Sequence, residues 1–164
     1  WRLNYFGSTD NSGDAADGHD ANGNGLSNLL DFAYGFNPVN SNSAHTPLEV
    51  SNPGSTGIIT RHGGMRFWSD PDTGHVFMRY TRRADYASLG LLFIDEFSRN
   101  LEAFEAATEA PEVIGTGTGD NGTAIEAVQL KLPLVLPDSG GKSRFGRNRV
   151  EFLPQIIILP PVDK

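Results

Sequence analysis

The chain has 164 residues, 38% of them hydrophobic, with 19 Gly and 10 Pro, which leaves room for one good core or a small module joined to one domain, built of short strands rather than a helical bundle. Its net charge of -7 sets it against nucleic acid and anionic membrane surfaces and in favour of divalent cations. It has no cysteine, which excludes disulfides and thiolate metal sites, so any metal must be held by oxygen.

The first residue is Trp1 rather than Met, and the expectation is a removed leader, most simply a secretory signal, or a fragment of a larger protein. Trp1 to Phe6 places Trp1 and Tyr5 four apart with Leu3 and Phe6 nearby, a pattern for one helical turn or a short strand that serves packing. Asp10, Asn11, Asp14, Asp17 and Asp20 then crowd into a short stretch. So many carboxylates repel one another unless solvated or neutralised by a cation.

Asp20-Ala-Asn-Gly-Asn-Gly-Leu-Ser-Asn-Leu-Leu-Asp31 resolves that tension. Oxygen-bearing side chains stand at loop positions 1, 3 and 5 (Asp20, Asn22, Asn24), glycine at 6 (Gly25) and a carboxylate at 12 (Asp31), the register of an EF-hand-type calcium loop. The near-complete register favours calcium over a merely solvated acidic loop. Calcium at the level weak loops require is found outside cells, which agrees with an extracellular or cell-surface location. Leu26, Leu29, Leu30, Ala33 and Tyr34 form a helical stripe, and Gly35 followed by Phe36-Asn37-Pro38 stops it.

Residues 37–57 are rich in Asn, Ser, Pro and Gly and read as a linker between a calcium-binding loop-helix unit (1–36) and a β-sandwich domain (58–164). Strand-like runs follow at Gly57–His62, Met65–Ser69 and His75–Arg82, the last two joined into a hairpin by Asp70-Pro-Asp-Thr-Gly74. Leu89–Ser98, Pro111–Gly115, Thr123–Leu132 and Arg144–Leu153 continue the pattern, with a glycine-rich turn at 116–122, and Leu101–Thr108 fits a short helix or an edge strand, the strand favoured. No apolar run approaches membrane-spanning length. The fold expected is mainly β: an antiparallel β-sandwich, Ig-like or jelly-roll-like, preceded by the small calcium-loop unit. In the last ten residues Ile156, Ile157, Ile158 and Leu159 form an aliphatic run that demands burial on both faces, in its own sandwich or in a groove of another subunit.

Trp1–Gly7, the acidic stretch Ser8–Asp17, the loop, and Leu29-Leu-Asp-Phe-Ala-Tyr-Gly35 together resemble a module found near the C-termini of many large secreted proteins of Verrucomicrobia-like bacteria. The likeness continues more loosely through 79–83 and 144–150, and the loop itself resembles those of dockerins and thrombospondin type 3 repeats. The resemblance implies a calcium-dependent loop-helix unit followed by a β-sandwich-like domain in an extracellular protein; it does not imply an enzymatic activity. It implies as ligands Asp20, Asn22 and Asn24 by side chain, Leu26 by its carbonyl, Asn28 directly or through water, and Asp31 at the closing position. Two departures weaken the site: Asn stands at positions 3 and 5, and Asp31 replaces the longer Glu. Asp14 and Asp17, outside the twelve-residue frame, could add ligands or form a second site.

Signals for catalysis are weak. Gly117, Gly119 and Gly122 satisfy G-x-G-x-x-G, but Thr123–Leu132 alternates like a strand rather than opening a helix. Gly140-Gly-Lys-Ser143 lacks the upstream glycine of a P-loop, and His19, His45, His62 and His75 show no zinc spacing. Asp95-Glu96 is expected to be a solvated rim, and Asn121-Gly-Thr123 is a glycosylation sequon. Phe67, Trp68 and Tyr80 could form a sugar-stacking platform, though aromatics in strands are more often core. The leading expectation is a secreted, non-enzymatic structural subunit, stabilised by calcium, that assembles with copies of itself into a filament or surface layer. The alternative is a calcium-dependent adhesion or carbohydrate-binding module that contacts a glycan through Trp68.

Overall fold

In the computed structural model the residues described are 1–40 and 46–153; the aliphatic segment Ile156–Leu159 lies outside them. The fold is mainly β, as expected. Two short helices, α1 (Arg2–Phe6) and α2 (Asn28–Tyr34), precede strands β1 (Glu49–Ser51), β2 (Ile58–Arg61), β3 (Arg66–Ser69), β4 (Val76–Arg83), β5 (Leu91–Ser98), β6 (Glu105–Ala106), β7 (Glu112–Thr118), β8 (Ala124–Lys131) and β9 (Phe145–Phe152). They form a six-stranded sheet in the order β1-β2-β7-β8-β4-β3 and a three-stranded sheet in the order β6-β5-β9. The sandwich departs from a purely antiparallel one where β2 runs parallel to β7, Ile58 opposite Thr116.

Local chemistry accounts for most of these elements. The Trp1 segment takes the helical alternative and stops at Gly7, whose left-handed φ of 71° ends the turn. Ser27 caps α2 by accepting from the Leu30 N–H, and Gly35, at φ 83°, ends it. The hairpin forms as its turn residues direct: β3 and β4 pair from Arg66 opposite Arg79 to Ser69 opposite Val76, with Asp70 taking the Asp72 N–H and the Thr73 hydroxyl.

Three expectations need correction. Gly117, expected in the turn at 116–122, lies within β7, as does Gly115 at the end of the expected strand. A Cβ on Gly115 would sit 2.7 Å from Val50 Cγ1, and one on Gly117 2.8 Å from Ile59 Cβ, so these glycines let β1 and β2 fold close over the sheet. The run Leu101–Thr108 supplies only the two residues of β6, because the Ser98 hydroxyl accepts the N–H groups of Asn100 and Leu101 and turns the chain first. Asp95 and Glu96 are no rim; both are buried in mid-β5. Asp95 accepts from the Tyr80 hydroxyl (3.1 Å) and Asn148 Nδ2 (2.7 Å), and burial pushes its carboxyl up despite those bonds and nearby Arg82. Burial also pushes Glu96 up, but Arg147 at 2.7 Å and Arg149 at 3.5 Å outweigh it and hold that carboxyl below its usual range.

The main core joins Met78 and Tyr80 of β4, Phe97 of β5 and Val128 and Leu130 of β8 with Leu136, Tyr34 and Phe36. Tyr34 and Phe36 therefore carry the end of the loop-helix segment into the sandwich interior. β3 pairs only with the first half of β4. Past that point Thr81 turns instead to the loop-helix segment, its hydroxyl donating to Tyr34 O (3.0 Å), while Tyr34 Oη donates to Asn148 Oδ1 on β9 (3.2 Å). A second cluster of Phe32, Ala33, Leu91 and Val150, with Trp1 stacked on Phe32 at 5.2 Å, extends the contact. So α2 closes the β4/β9 side of the sandwich, where a longer β3 would have lain. Within 37–57, Glu49–Ser51 joins the sheet as β1.

Candidate metal centre

The loop ahead of α2 is curled by its own side chains. The Asp20 carboxylate accepts the backbone N–H groups of Asn24 (3.1 Å) and Gly25 (2.8 Å). Asn22 Oδ1 accepts from Asn24 N at 3.0 Å, and Asn24 Oδ1 from Leu26 N at 2.7 Å. Gly23 and Gly25 adopt φ of 71° and 82°, which the tight curl requires and which costs other residues strain. These bonds aim Asp20, Asn22 and Asn24 at the first turn of α2.

Asp31 waits there with no exposed surface. Its two oxygens accept from Asn22 Nδ2 (2.7 Å) and Asn24 Nδ2 (2.8 Å). Burial pushes its carboxyl up to about 6; the two amides pull the other way, and the charges of Asp20 and Asp120 push it further up. A buried carboxylate repelled by two others and met only by neutral amides is an electrostatic deficit that a cation would cancel.

The donor chemistry fits such a cation. Among the described residues no three Asp, Glu or His side chains converge on one point, so the loop offers the carboxylates of Asp20 and Asp31 and neutral oxygens from Asn22, Asn24 and the Leu26 carbonyl. The amide nitrogens of Asn22 and Asn24 now face Asp31, and a half-turn of each carboxamide exchanges nitrogen for oxygen at almost the same position. An all-oxygen set of low charge suits calcium at the weak end of its affinity range.

The remaining candidate ligands lie elsewhere. Asn28, fully buried, donates from Nδ2 to the carbonyls of Asp14 and Ala16 (both 2.8 Å) and accepts from Ala21 N (3.2 Å), tying the acidic stretch to the helix. Asp17 pairs with the Arg2 guanidinium and with Asn11 Nδ2. The Asp14 side chain is 90% exposed, 3.5 Å from His19 Nε2. Trp68, on β3, is 37% exposed, but Arg79 lies over its ring at 3.6 Å and Phe77 stands 5.9 Å away, so one indole face is already covered.

Sequence reasoning passed over Asp120, in the turn between β7 and β8. Its carboxylate accepts from Asn37 N at 3.0 Å and lies 3.2 Å from His62 Nε2. Asn22 Nδ2 also reaches the carbonyls of Asn37 (3.1 Å) and Asn40 (3.2 Å). The segment after α2 is thus fastened on one side to the candidate ligand Asn22 and on the other to the sandwich. Only the Gly-Asp-Asn-Gly turn composition hinted at Asp120.

Comparison of the chain with protein-family models, with curated proteins and with solved structures finds no match.

Proposed function

We propose that the chain is a non-enzymatic structural subunit of an extracellular or cell-surface assembly, stapled by calcium and polymerising with its own kind through the aliphatic segment Ile156–Leu159. One observation carries the calcium half: Asp31, wholly buried at the closing position of the loop, faces Asp20 and neutral amides. The same seven-residue helix holds Tyr34 in the main core. Cation binding at its first turn would therefore stabilise the sandwich as a whole, a stapling role rather than that of a sensor that opens a groove.

The assembly half is supported by the four consecutive large aliphatics at 156–159, a run apolar on both faces that favours burial between strands. No helix among the described residues is long and apolar enough to cross a membrane. The test is twofold. Calorimetric titration with calcium should show binding that Asp20→Ala and Asp31→Ala abolish, and chelation should lower the melting temperature of the unsubstituted chain alone. Sedimentation of the full chain against one lacking residues 155–164 should show large species only for the former; equal size for both would sink the assembly half.

A further inference from the structure

The sandwich is closed unequally on its two sides. On the β9 side α2 fills the gap between the sheets. On the β6 side the described residues supply only two-residue β6 and the strap from Ala107 to Pro111 that leads into β7. β5 shows the consequence in its backbone. The Leu153 N–H bonds Gly90 O, so the even-numbered residues of β5 turn their backbone groups to β9; the Ala107 N–H bonds Asp95 O, so the odd-numbered ones turn theirs to β6. β6 pairs only with Glu96 and Phe97, and the Leu91 N–H is taken by Tyr86 O. Phe93, between them, presents its N–H and C=O to the open side.

A groove of about 390 Å³ lies along this edge, walled by Leu92, Phe93 and Ile94 of β5 and by Ala107, Ala110 and Pro111 of the strap, with Arg82, Asp95 and Glu109 at its polar margin and the Tyr86 ring edge-on to Phe93 at 5.5 Å. On the other face of the same strap a second groove, about 330 Å³, is lined by Phe97, Leu130, Leu132, Leu134 and Val135. Leu134 is 77% exposed and Val135 58%. This side of the molecule is therefore grooved, more apolar than polar, and leaves this edge of β5 unpaired at Phe93.

We propose that the open edge of β5 is the acceptor for Gln155–Leu159 of a second copy of this chain, received as an added strand. The inference rests on the self-assembly reading above and names its docking site. Main-chain bonds to Phe93 would fix the added strand. Its alternate side chains would fall on Phe93 and Ala107 on one face and beside Leu92 and Ile94 on the other, which matches a segment apolar on both faces. The chain's own segment is badly placed to serve. It leaves β9 at Leu153, beside Gly90, on the far side of β5 from the groove. Three residue steps to Ile156 reach about 10–11 Å at full extension, barely more than the two strand spacings to be crossed, about 9–10 Å, so only a straight, fully stretched connection would arrive. The turn from Ala84 to Gly90 stands in that path. A returning strand would also have to straddle β5 as neighbour to both its edges, a connection that chains avoid.

Because the chain has no cysteine, introduced thiols report only on themselves. Chains carrying Thr108→Cys, on the exposed strap, are mixed with chains carrying Ile158→Cys and treated with a short bis-maleimide. Leu3→Cys, on the exposed surface of α1, replaces Thr108→Cys in a control. The expected result is cross-linked dimer at least tenfold above the control, lost when Ala110→Arg fills the groove. Dimer no higher than the control overturns the docking site. Cross-linking within single chains that carry both thiols, without dimer in the mixture, overturns the second copy in favour of the chain's own segment. Sedimentation of the 155–164 deletion separates the levels: deletion that abolishes assembly while Thr108→Cys fails to cross-link leaves the assembly reading standing and removes only the β5 edge.

Discussion

Asp31 is the residue on which opposing effects can be separated. Without metal, its folded-state carboxyl at about 6 lies above the ordinary 3.8, so the folded state binds a proton more tightly than the unfolded one. That stabilisation is fully present below 3.8 and is lost as pH rises through 6. At 1.36 kcal/mol per pKa unit the loss is at most about 3 kcal/mol. Chelated protein should therefore melt progressively lower between pH 4 and pH 6.5 in scanning calorimetry, a trend opposite to that of a salt-bridged carboxylate. If the loop holds calcium as proposed, calcium and the proton would compete for the same oxygens, and calcium affinity measured by titration should fall as pH drops from 7 to 5. Asp31→Asn removes the buried charge, and at pH 7 it should raise the melting temperature of chelated protein while abolishing the gain from calcium. A variant that loses stability in chelator and keeps its calcium gain would contradict both the electrostatic account and the ligand assignment.

At the scale of elements, close approach and conformational need make different demands on glycine. Gly57 has nothing unusual in φ, yet a Cβ there would lie 2.0 Å from the Ile114 carbonyl oxygen, whereas Gly74, at φ 68°, has open space around it. Gly57→Ala should cost several kcal/mol by prising β2 from β7, and Gly74→Ala about 1 kcal/mol of left-handed strain; denaturant titration distinguishes them. Tyr34→Phe removes the bond from α2 to Asn148 and should cost about 1 kcal/mol, whereas Phe36→Ala, emptying a site 1% exposed, should cost about 3–5 kcal/mol. The elements legible in the sequence were those with local causes. The α2 stripe with its Gly35 stop and the β3–β4 hairpin with its Asp70–Gly74 turn declare themselves within a dozen residues. The parallel β2–β7 pairing and the role of Gly115 and Gly117 depend on strands brought together from more than fifty positions apart, and no local pattern encodes them. The loop's Asp20, Asn22, Asn24 and Asp31 were legible because their register is local. Asp120 was not, since only the tertiary fold carries it to Asn37.

For the whole molecule, the placement of α2 makes the loop a participant in global stability. Because Tyr34, Phe36, Phe32 and Ala33 share cores with β4, β5, β8 and β9, chelation should shift one cooperative melting transition rather than release a separate early one. Hydrogen exchange should then quicken in β4 and β9 together with the loop; exchange confined to 10–31 would show the segment to be an independent unit. The polar chain that runs Tyr80, Asp95, Asn148, Tyr34 through the interior has a further effect, on folding fidelity. β9 alternates arginines outward with Gly146, Asn148 and Val150 inward, so slipping it one place along β5 would drive Arg147 and Arg149 inside, an error sterics and solvation forbid. A slip of two places keeps the alternation and would escape that check. It would, however, set Gly146 or Val150 against Asp95, leaving a buried carboxyl stripped of its amide and the Tyr34 hydroxyl without its acceptor. The buried acid thus acts as a proofreader of strand alignment, admitting the one register in which β5, β9 and α2 all meet.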